Sequence, residues 1–354
     1  MAKKKVCVIK GDDASPEFVI PTVELLEGMK LGIEFFWPLT GEEAIQKHGK
    51  AFPEEAKKMV DGADCTLFGS SRDMTGGLGY LRWGKKTYAN FRPVKWMKGM
   101  RSPLKKPEGI DFVVVRENLE GLYPGREGEI ERLEPLKLTD FITGQVLDTS
   151  KKGKFAVRVI TEENTRNVAK ATCDLAMKRK AKGGKGKVTV ASKYNMLFQS
   201  DELFRQIVEE TVKQHPELTF DQQVIDNFCQ QMIINPQQFD VVVMPNEHGD
   251  VMADGAAALV GGLGLAPSAC FGKDYAYFEP VHGTAPDLMG KNVVNPTAMI
   301  LSAKWMLEYL GFADAAQRLE RAVYGVYEEG KYLTPDQGGS SSTTQFCKAV
   351  KEKI

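Results

Sequence analysis

The chain has 354 residues, with 47 Lys and Arg set against 47 Asp and Glu, so its formal net charge at pH 7 is zero. That balance argues against a nucleic-acid binder, whose affinity rests on a cationic surplus. A composition of 42% hydrophobic and 27% charged residues excludes wholesale disorder, and at roughly 150 residues per domain the length accommodates two or three domains.

The basic start, Met1 to Lys5, is followed by only a short apolar stretch, Val6 to Ile9, too brief for a secretory core. A cytoplasmic protein is expected. Val6 to Ile9 reads instead as a first strand, after which Gly11-Asp-Asp turns the chain and Pro16-Glu17 opens a helix. Phe112 to Val115 and Val188 to Val190 are apolar enough for strands buried on both faces. Between them, Thr161 is suited to cap a helix with Glu162 and Glu163 in its first turn. Val168, Ala171, Leu175 and Ala176 then follow the spacing of one buried face.

Lys178 to Lys187 is densely basic around Gly183-Gly184, yet it lacks the order of a phosphate-binding loop and reads as a solvated helix end and turn. Ser200 is expected to start a helix with Leu203, Ile207 and Val208 inward. Phe239 to Val243 is a strand that must end before Pro245. The longest apolar run, Ala256 to Phe271, is broken by Gly261, Gly262, Gly264 and Pro267 and falls short of the ~20 residues of a membrane-spanning helix. Its Gly262-Leu-Gly264 is a poor dinucleotide fingerprint, because Pro267 stands where the third glycine belongs. Pro296 to Leu310 is a long helix ending near Gly311. The alternation of strands and helices is that of an α/β protein. Six cysteines (Cys7, Cys65, Cys173, Cys229, Cys270 and Cys347) form no Cys-x-x-Cys pair and read as reduced, mostly buried thiols.

Three groups of residues could carry chemistry. In Gly249-Asp250-Val-Met-Ala-Asp254, a helix starting at Asp250 puts two carboxylates one turn apart. Their repulsion suits an oxygen-liganded divalent cation such as Mg2+ or Mn2+; the alternative is a capping Asp250 beside an exposed Asp254. Lys193, just past the strand ending at Ala191, lies where open α/β sheets place ligands and could act as a general base, although most lysines simply face solvent. Arg82, Arg92 and Arg116 could converge on a substrate bearing several carboxylates, or form unconnected surface ion pairs.

Taken in order, these segments resemble the isocitrate/isopropylmalate dehydrogenase family, the metal-dependent β-decarboxylating hydroxyacid dehydrogenases. The likeness spans nearly the whole chain. It is densest in Asn246-x-x-Gly-Asp250-x-x-x-Asp254, Gly261-Gly-Leu-Gly-Leu-Ala-Pro267-Ser, Phe278-Glu-Pro-Val-His282-Gly-Thr-Ala-Pro-Asp287 and Asn295-Pro-Thr, with Tyr88-Ala-Asn-x-Arg92-Pro and Arg116-Glu-Asn-x-Glu-Gly-x-Tyr123 upstream. The resemblance implies a two-domain α/β fold with a parallel or mixed sheet that is not a Rossmann fold. A larger coenzyme-binding domain would comprise residues 1–97 and 258–354, and a smaller one residues 98–257.

It further implies metal ligands Asp226, Asp250 and Asp254, and a catalytic pair, Lys193 and Tyr123. Arg82, Arg92 and Arg116 match the carboxylate clamp. NAD contacts fall at Asn195, Glu279, His282, Gly283, Asp287, Leu288 and Asn295. Lys193 and Asp226 would come from a neighbouring subunit, so a homodimer is needed for each site. A carboxylate at Asp287 would repel a 2'-phosphate, which favours NAD over NADP.

The chain departs from the family pattern in places. Gly11-Asp-Asp-Ala-Ser-Pro-Glu17 replaces Gly-Asp-Gly-Ile-Gly-Pro-Glu, and Glu247-His248 is unusual. In the specificity stretch, Gly76 and Leu78 differ from isocitrate enzymes, while Thr75 stands where isopropylmalate enzymes have glutamate. The expected substrate is isocitrate or homoisocitrate. The alternatives are isopropylmalate, malate or tartrate, or a non-catalytic regulatory subunit of a heteromeric isocitrate dehydrogenase.

Overall fold

The computed structural model describes residues 3–72 and 76–354; the expectation placed on Thr75 lies outside them. Twelve strands are described: β1 Lys4–Ile9, β2 Ile33–Phe36, β3 Cys65–Phe68, β4 Ala89–Lys95, β5 Asp111–Glu117, β6 Glu127–Glu129, β7 Lys154–Ala156, β8 Lys187–Ser192, β9 Thr219–Val224, β10 Val241–Met244, β11 Pro267–Phe271 and β12 Ala276–Pro280. Ten of them build one sheet in the order β2-β1-β3-β12-β11-β4-β5-β10-β8-β9.

Its two ends are parallel blocks that run in opposite directions. β2, β1, β3 and β12 form one block and β5, β10, β8 and β9 the other. The antiparallel pairings of β12 with β11, β11 with β4, and β4 with β5 join them. The sheet is thus mixed, as the resemblance implied.

Helices cover the sheet: α1 Ser15–Gly28, α2 Gly41–His48, α3 Glu54–Asp61, α4 Glu162–Lys180, α5 Ser200–Lys213, α6 Ile225–Ile234, α7 Asn246–Leu259, α8 Thr297–Tyr309, α9 Ala313–Glu329 and α10 Thr343–Lys353. Thr161 caps α4 as its sequence suggests, its hydroxyl accepting from the Asn164 N–H at 3.4 Å. In α5 the inward residue is Phe204, with Leu203 only half-buried; the aromatic ring, clustered with α4 residues, takes the inward place expected of the leucine. α7 begins at Asn246, directly after Pro245 ends β10, so Asp250 is an interior helical residue and not a cap. α8 falls inside the expected Pro296 to Leu310.

Four apolar clusters form the core. The largest gathers α1, α8, α9 and α10 over β1, β3, β11 and β12, and a smaller one packs Phe68, Leu81 and Tyr277 on the other face of those strands. The remaining two sandwich β5 and β10 between α4 with α5 on one side and α6 with α7 on the other. Val241, Val242 and Val243 are fully buried, each contributing about 1.5–3 kcal/mol of hydrophobic burial. Phe271 and Trp305 touch both halves of the core. Among the described residues, no helix is long and apolar enough to cross a membrane.

Candidate active site

Strand alternation builds the floor of the site. Register places Glu279, Ser268, Arg92 and Val114 in one row across β12, β11, β4 and β5, and Tyr277, Cys270, Asn90 and Arg116 in the next row but one. Rows two residues apart share a face. The row between them, Phe278, Ala269, Phe91 and Val115, points the other way into the apolar core. A polar stripe therefore crosses the middle of the sheet, where the two parallel blocks meet. Arg82 lies beside it, in a wide helical turn at Tyr80–Gly84.

Arg82, Arg92 and Arg116 are all nearly inaccessible, at 4%, 7% and 2% exposure. Such burial is tolerable only with counter-charge, which Asp250 supplies for Arg92 and Arg116 while Glu279 acts on Arg82. Its carboxylate bridges Arg92 at 2.9 Å and Arg116 at a shorter approach, and accepts a hydrogen bond from the Tyr123 hydroxyl at 3.0 Å. Asp254, one turn further along α7, pairs with Arg92 at 3.1 Å. Gly249 makes this juxtaposition possible, since a Cβ there would stand 2.7 Å from the Arg116 Cβ and push α7 off β5.

The electrostatics follow from the packing. Burial opposes the Asp250 carboxylate, but Arg92, Arg116, Tyr123 and Arg82 outweigh it and hold the pKa below the ordinary value. Asp254 goes the other way, raised by partial burial and by Asp250 despite Arg92. Burial, with Arg92 and Arg82 nearby, lowers Arg116 to about 10. Tyr123 is pushed up to about 12, first by burial and then by Asp250. Glu279 is raised by burial against the pull of all three arginines.

A buried polar joint at Asn246, a motif position to which the sequence assigned no role, holds the turn leading to Tyr123. Asn246 is 1% exposed; its carbonyl oxygen accepts from Arg116 Nε at 2.9 Å and its amide donates to the Glu120 carbonyl at 2.8 Å. A neutral acceptor at this point orients the guanidinium without consuming its charge. The signal in the sequence was a polar residue just past the proline that ends a fully apolar strand.

Glu117 accepts the Leu119 N–H at 2.7 Å and the Glu120 N–H at 3.0 Å, and burial raises its pKa to about 7 against these hydrogen bonds. Because the folded chain holds this proton more tightly than the unfolded chain, Glu117 contributes stability in acid that is lost as pH rises from 4.5 through 7. The expected loss is up to roughly 3 kcal/mol. Glu117→Gln should flatten that part of the pH profile of thermal unfolding, and an unchanged profile would show that Glu117 titrates normally.

Lys193 and Asp226 stand apart from the Asp250 cluster and pair with each other. Lys193 follows β8, with its backbone N–H bound to the fully buried Asp201 at 2.7 Å; Asp226 is in the first turn of α6. Among the described residues, no three His, Cys, Asp or Glu side chains of the single chain converge closely enough to hold a metal ion. Asp250 and Asp254 offer two carboxylates one turn apart, an all-oxygen donor set that fits Mg2+ or Mn2+.

The residues expected at the coenzyme lie on two segments. Asn195 is exposed in the turn after β8. Glu279 is the last residue but one of β12, and the chain then runs through His282, Gly283, Asp287 and Leu288. The His282 ring packs edge-on to Phe18 at 5.0 Å and its Nδ1 meets the Gly283 carbonyl at 2.9 Å. Burial lowers its pKa, and its Nε2 is enclosed with no hydrogen-bond partner among the described residues. Gly283, Asp287 and Leu288 are exposed. Asn295 is 4% exposed, its amide donating to Tyr327 and Asp336 and its oxygen accepting the Thr297 N–H, so its side chain is occupied in shaping the start of α8.

Residues 5–354 match the family model described as isocitrate/isopropylmalate dehydrogenase. The chain is 41% identical over 351 residues to the 3-isopropylmalate/3-methylmalate dehydrogenase of Methanocaldococcus jannaschii, covering 99% of this chain and 98% of that protein. It is 37% identical over 357 residues to the isocitrate/homoisocitrate dehydrogenase of Thermus thermophilus, with 99% and 98% coverage. The crystal structure of isocitrate dehydrogenase from Methylococcus capsulatus superposes with a TM-score of 0.85 at 32% identity, covering 99% of both chains. This chain thus belongs to the isocitrate/isopropylmalate dehydrogenase family, whose members are decarboxylating hydroxyacid dehydrogenases.

Proposed function

We propose that the protein is an NAD-dependent, Mg2+- or Mn2+-dependent enzyme that oxidatively decarboxylates a 3-carboxy-2-hydroxyacid, with isocitrate or homoisocitrate as its substrate. The observation that carries this reading is the convergence of two buried guanidinium groups, Arg92 and Arg116, on Asp250, itself one turn from Asp254, with the buried Arg82 beside the same stripe. A cation held by the two aspartates would supply Lewis acidity and leave the arginines to receive substrate carboxylates. Three such clamps suit a tricarboxylate.

Arg82, Arg92 and Arg116 hold the hydroxyacid, Lys193 takes the proton of its 2-hydroxyl, and Tyr123 returns a proton to carbon after CO2 has left. NAD, if held by the loop from His282 to Leu288, would supply the hydride acceptor. Lys193 and Asp226 serve the site of a second copy of the chain, so the working unit is a homodimer. The apolar residues exposed on one chain support this: Phe141 at 77%, Ile142 at 72% and Ile234 at 67% would be covered by the second copy. The larger domain, residues 1–97 with 258–354, carries the coenzyme loop, and residues 98–257 carry the metal ligands and the dimer surface.

A second reading, 3-isopropylmalate or a smaller 3-substituted malate, is favoured by Leu78, which packs beside Phe52 and Tyr80 against the Cys7 and Ile9 cluster and offers no polar group to a third carboxylate. The test is to offer the protein Mg2+ or Mn2+, NAD or NADP, and a panel of isocitrate, homoisocitrate, 3-isopropylmalate, 3-methylmalate, malate and tartrate. Reduced coenzyme should appear fastest with NAD and a tricarboxylate. Preference for 3-isopropylmalate selects the second reading, undiminished turnover in chelated buffer removes the metal, and tight isocitrate binding without any turnover indicates a regulatory subunit.

A further inference from the structure

The segment from His282 to Asn292 crosses the surface between two anchored limbs. On the near limb, Ser70 Oγ donates to the His282 carbonyl at 2.6 Å and the Ala14 N–H donates to the Thr284 carbonyl at 3.1 Å. Pro286 to Lys291, between the limbs, are all exposed. On the far limb, one side chain holds the backbone. Glu17, in the first turn of α1, accepts the Gly290 N–H on Oε1 at 2.5 Å and the Asn292 N–H on Oε2 at 2.7 Å. Both residues it grips are left-handed, with φ of 79° at Gly290 and 53° at Asn292. That conformation costs an asparagine little but is not its default.

Asn292 carries the connection further. Its carbonyl accepts the Thr343 N–H at 2.9 Å and its Oδ1 accepts the Thr344 hydroxyl at 3.0 Å. The exposed loop is therefore strung between α1 and the start of α10.

We infer that Glu17 is a positioning residue for coenzyme binding: its carboxylate holds Gly290 and Asn292 so that the loop bearing Gly283, Asp287 and Leu288 is already in its binding shape. The inference rests on the proposal above that this loop receives the coenzyme. Its physical basis is that hydrogen bonds to an ionised acceptor are roughly twice as strong as neutral ones, and that ordering an exposed loop before the ligand arrives removes that entropy cost from binding. Both carboxylate oxygens are engaged with backbone. Removing them leaves the Gly290 N–H to water, while the half-buried Asn292 N–H loses its acceptor.

The test compares Glu17→Ala and Glu17→Gln with the wild-type chain. Hydrogen exchange at the amides of residues 283–292, measured without coenzyme, should accelerate in Glu17→Ala and less in Glu17→Gln, which keeps one acceptor. The dissociation constant for NAD should rise about tenfold in Glu17→Ala, with kcat and the KM for hydroxyacid changed less than about twofold. Faster exchange with an unchanged NAD affinity would overturn the inference. So would a uniform loss of melting temperature, kcat and both Michaelis constants, which marks a merely structural role. If the wild-type chain binds no nicotinamide dinucleotide, the proposed function fails on that ground alone, while the exchange rates still report whether Glu17 holds the loop.

Discussion

Lys193→Met is expected to reduce turnover by at least about a thousandfold while leaving the dissociation constant for NAD within about twofold, the range for loss of a positioned general base. The side chain is close in length and loses only its charge and its proton-carrying nitrogen. In the single chain Lys193 is paired with Asp226 and held at its backbone by Asp201, which is in turn fixed by Arg158 at 2.5 Å. Its placement is thus independent of the arginine cluster, and the substitution should leave the stripe of Arg92, Arg116 and Asp250 undisturbed. Pre-steady-state measurement of reduced coenzyme separates the cases. A normal burst followed by slow turnover would remove the lysine from the chemical step, and its absence with intact NAD binding would place it there. Mixing Lys193→Met with a variant defective in Asp250 should restore some activity in mixed dimers, because each site would draw its two halves from different chains.

Asp250→Asn should be damaging twice over. The carboxylate is the common partner of two guanidinium groups that are 7% and 2% exposed. Breaking a buried pair by removing one member costs about 3–5 kcal/mol, since the surviving charge remains buried. Thermal unfolding should therefore begin at clearly lower temperature, and activity should be lost at any concentration of Mg2+ or Mn2+. Arg116→Met in the same background should recover part of the stability without recovering activity, as it removes one of the stranded charges. If Asp250→Asn melts like the wild-type chain, the Arg92 and Arg116 charges are being neutralised elsewhere.

Much of this was legible in the residue string, for identifiable reasons. Strands such as Val241 to Met244 are apolar throughout because they are buried on both faces, and Thr161 before two glutamates is a strong local signal for the start of α4. The spacing of Asp250 and Asp254 was informative because four residues make one helical turn wherever the helix begins; its start at Asn246 left the pair on the same face. What sequence could not convey was the identity of partners remote along the chain. Nothing near Asn246 indicates that it bridges Arg116 and the Glu120 carbonyl, and nothing near Glu17 indicates Gly290 and Asn292. Asn295 shows the converse: a motif position whose side chain is absorbed by Tyr327 and Asp336 inside the fold. The swap of Leu203 for Phe204 is a packing decision between adjacent apolar residues, which periodicity alone does not resolve.

The order of strands in the sheet also bears on how the polypeptide is made. β3 is flanked on one side by β1, but its other neighbour is β12, and the hydrogen bond between Thr66 and Tyr275 closes a loop of 209 residues. A chain emerging from the ribosome must therefore keep that edge unpaired until almost four-fifths of it has been synthesised. Meanwhile β5, β8, β9 and β10, all of them made before β12 and interrupted only by the separate β6–β7 pair, can assemble earlier. Biogenesis should then proceed from the middle outward, with the amino-terminal strands waiting, and in need of protection from self-association, for their late-arriving neighbour.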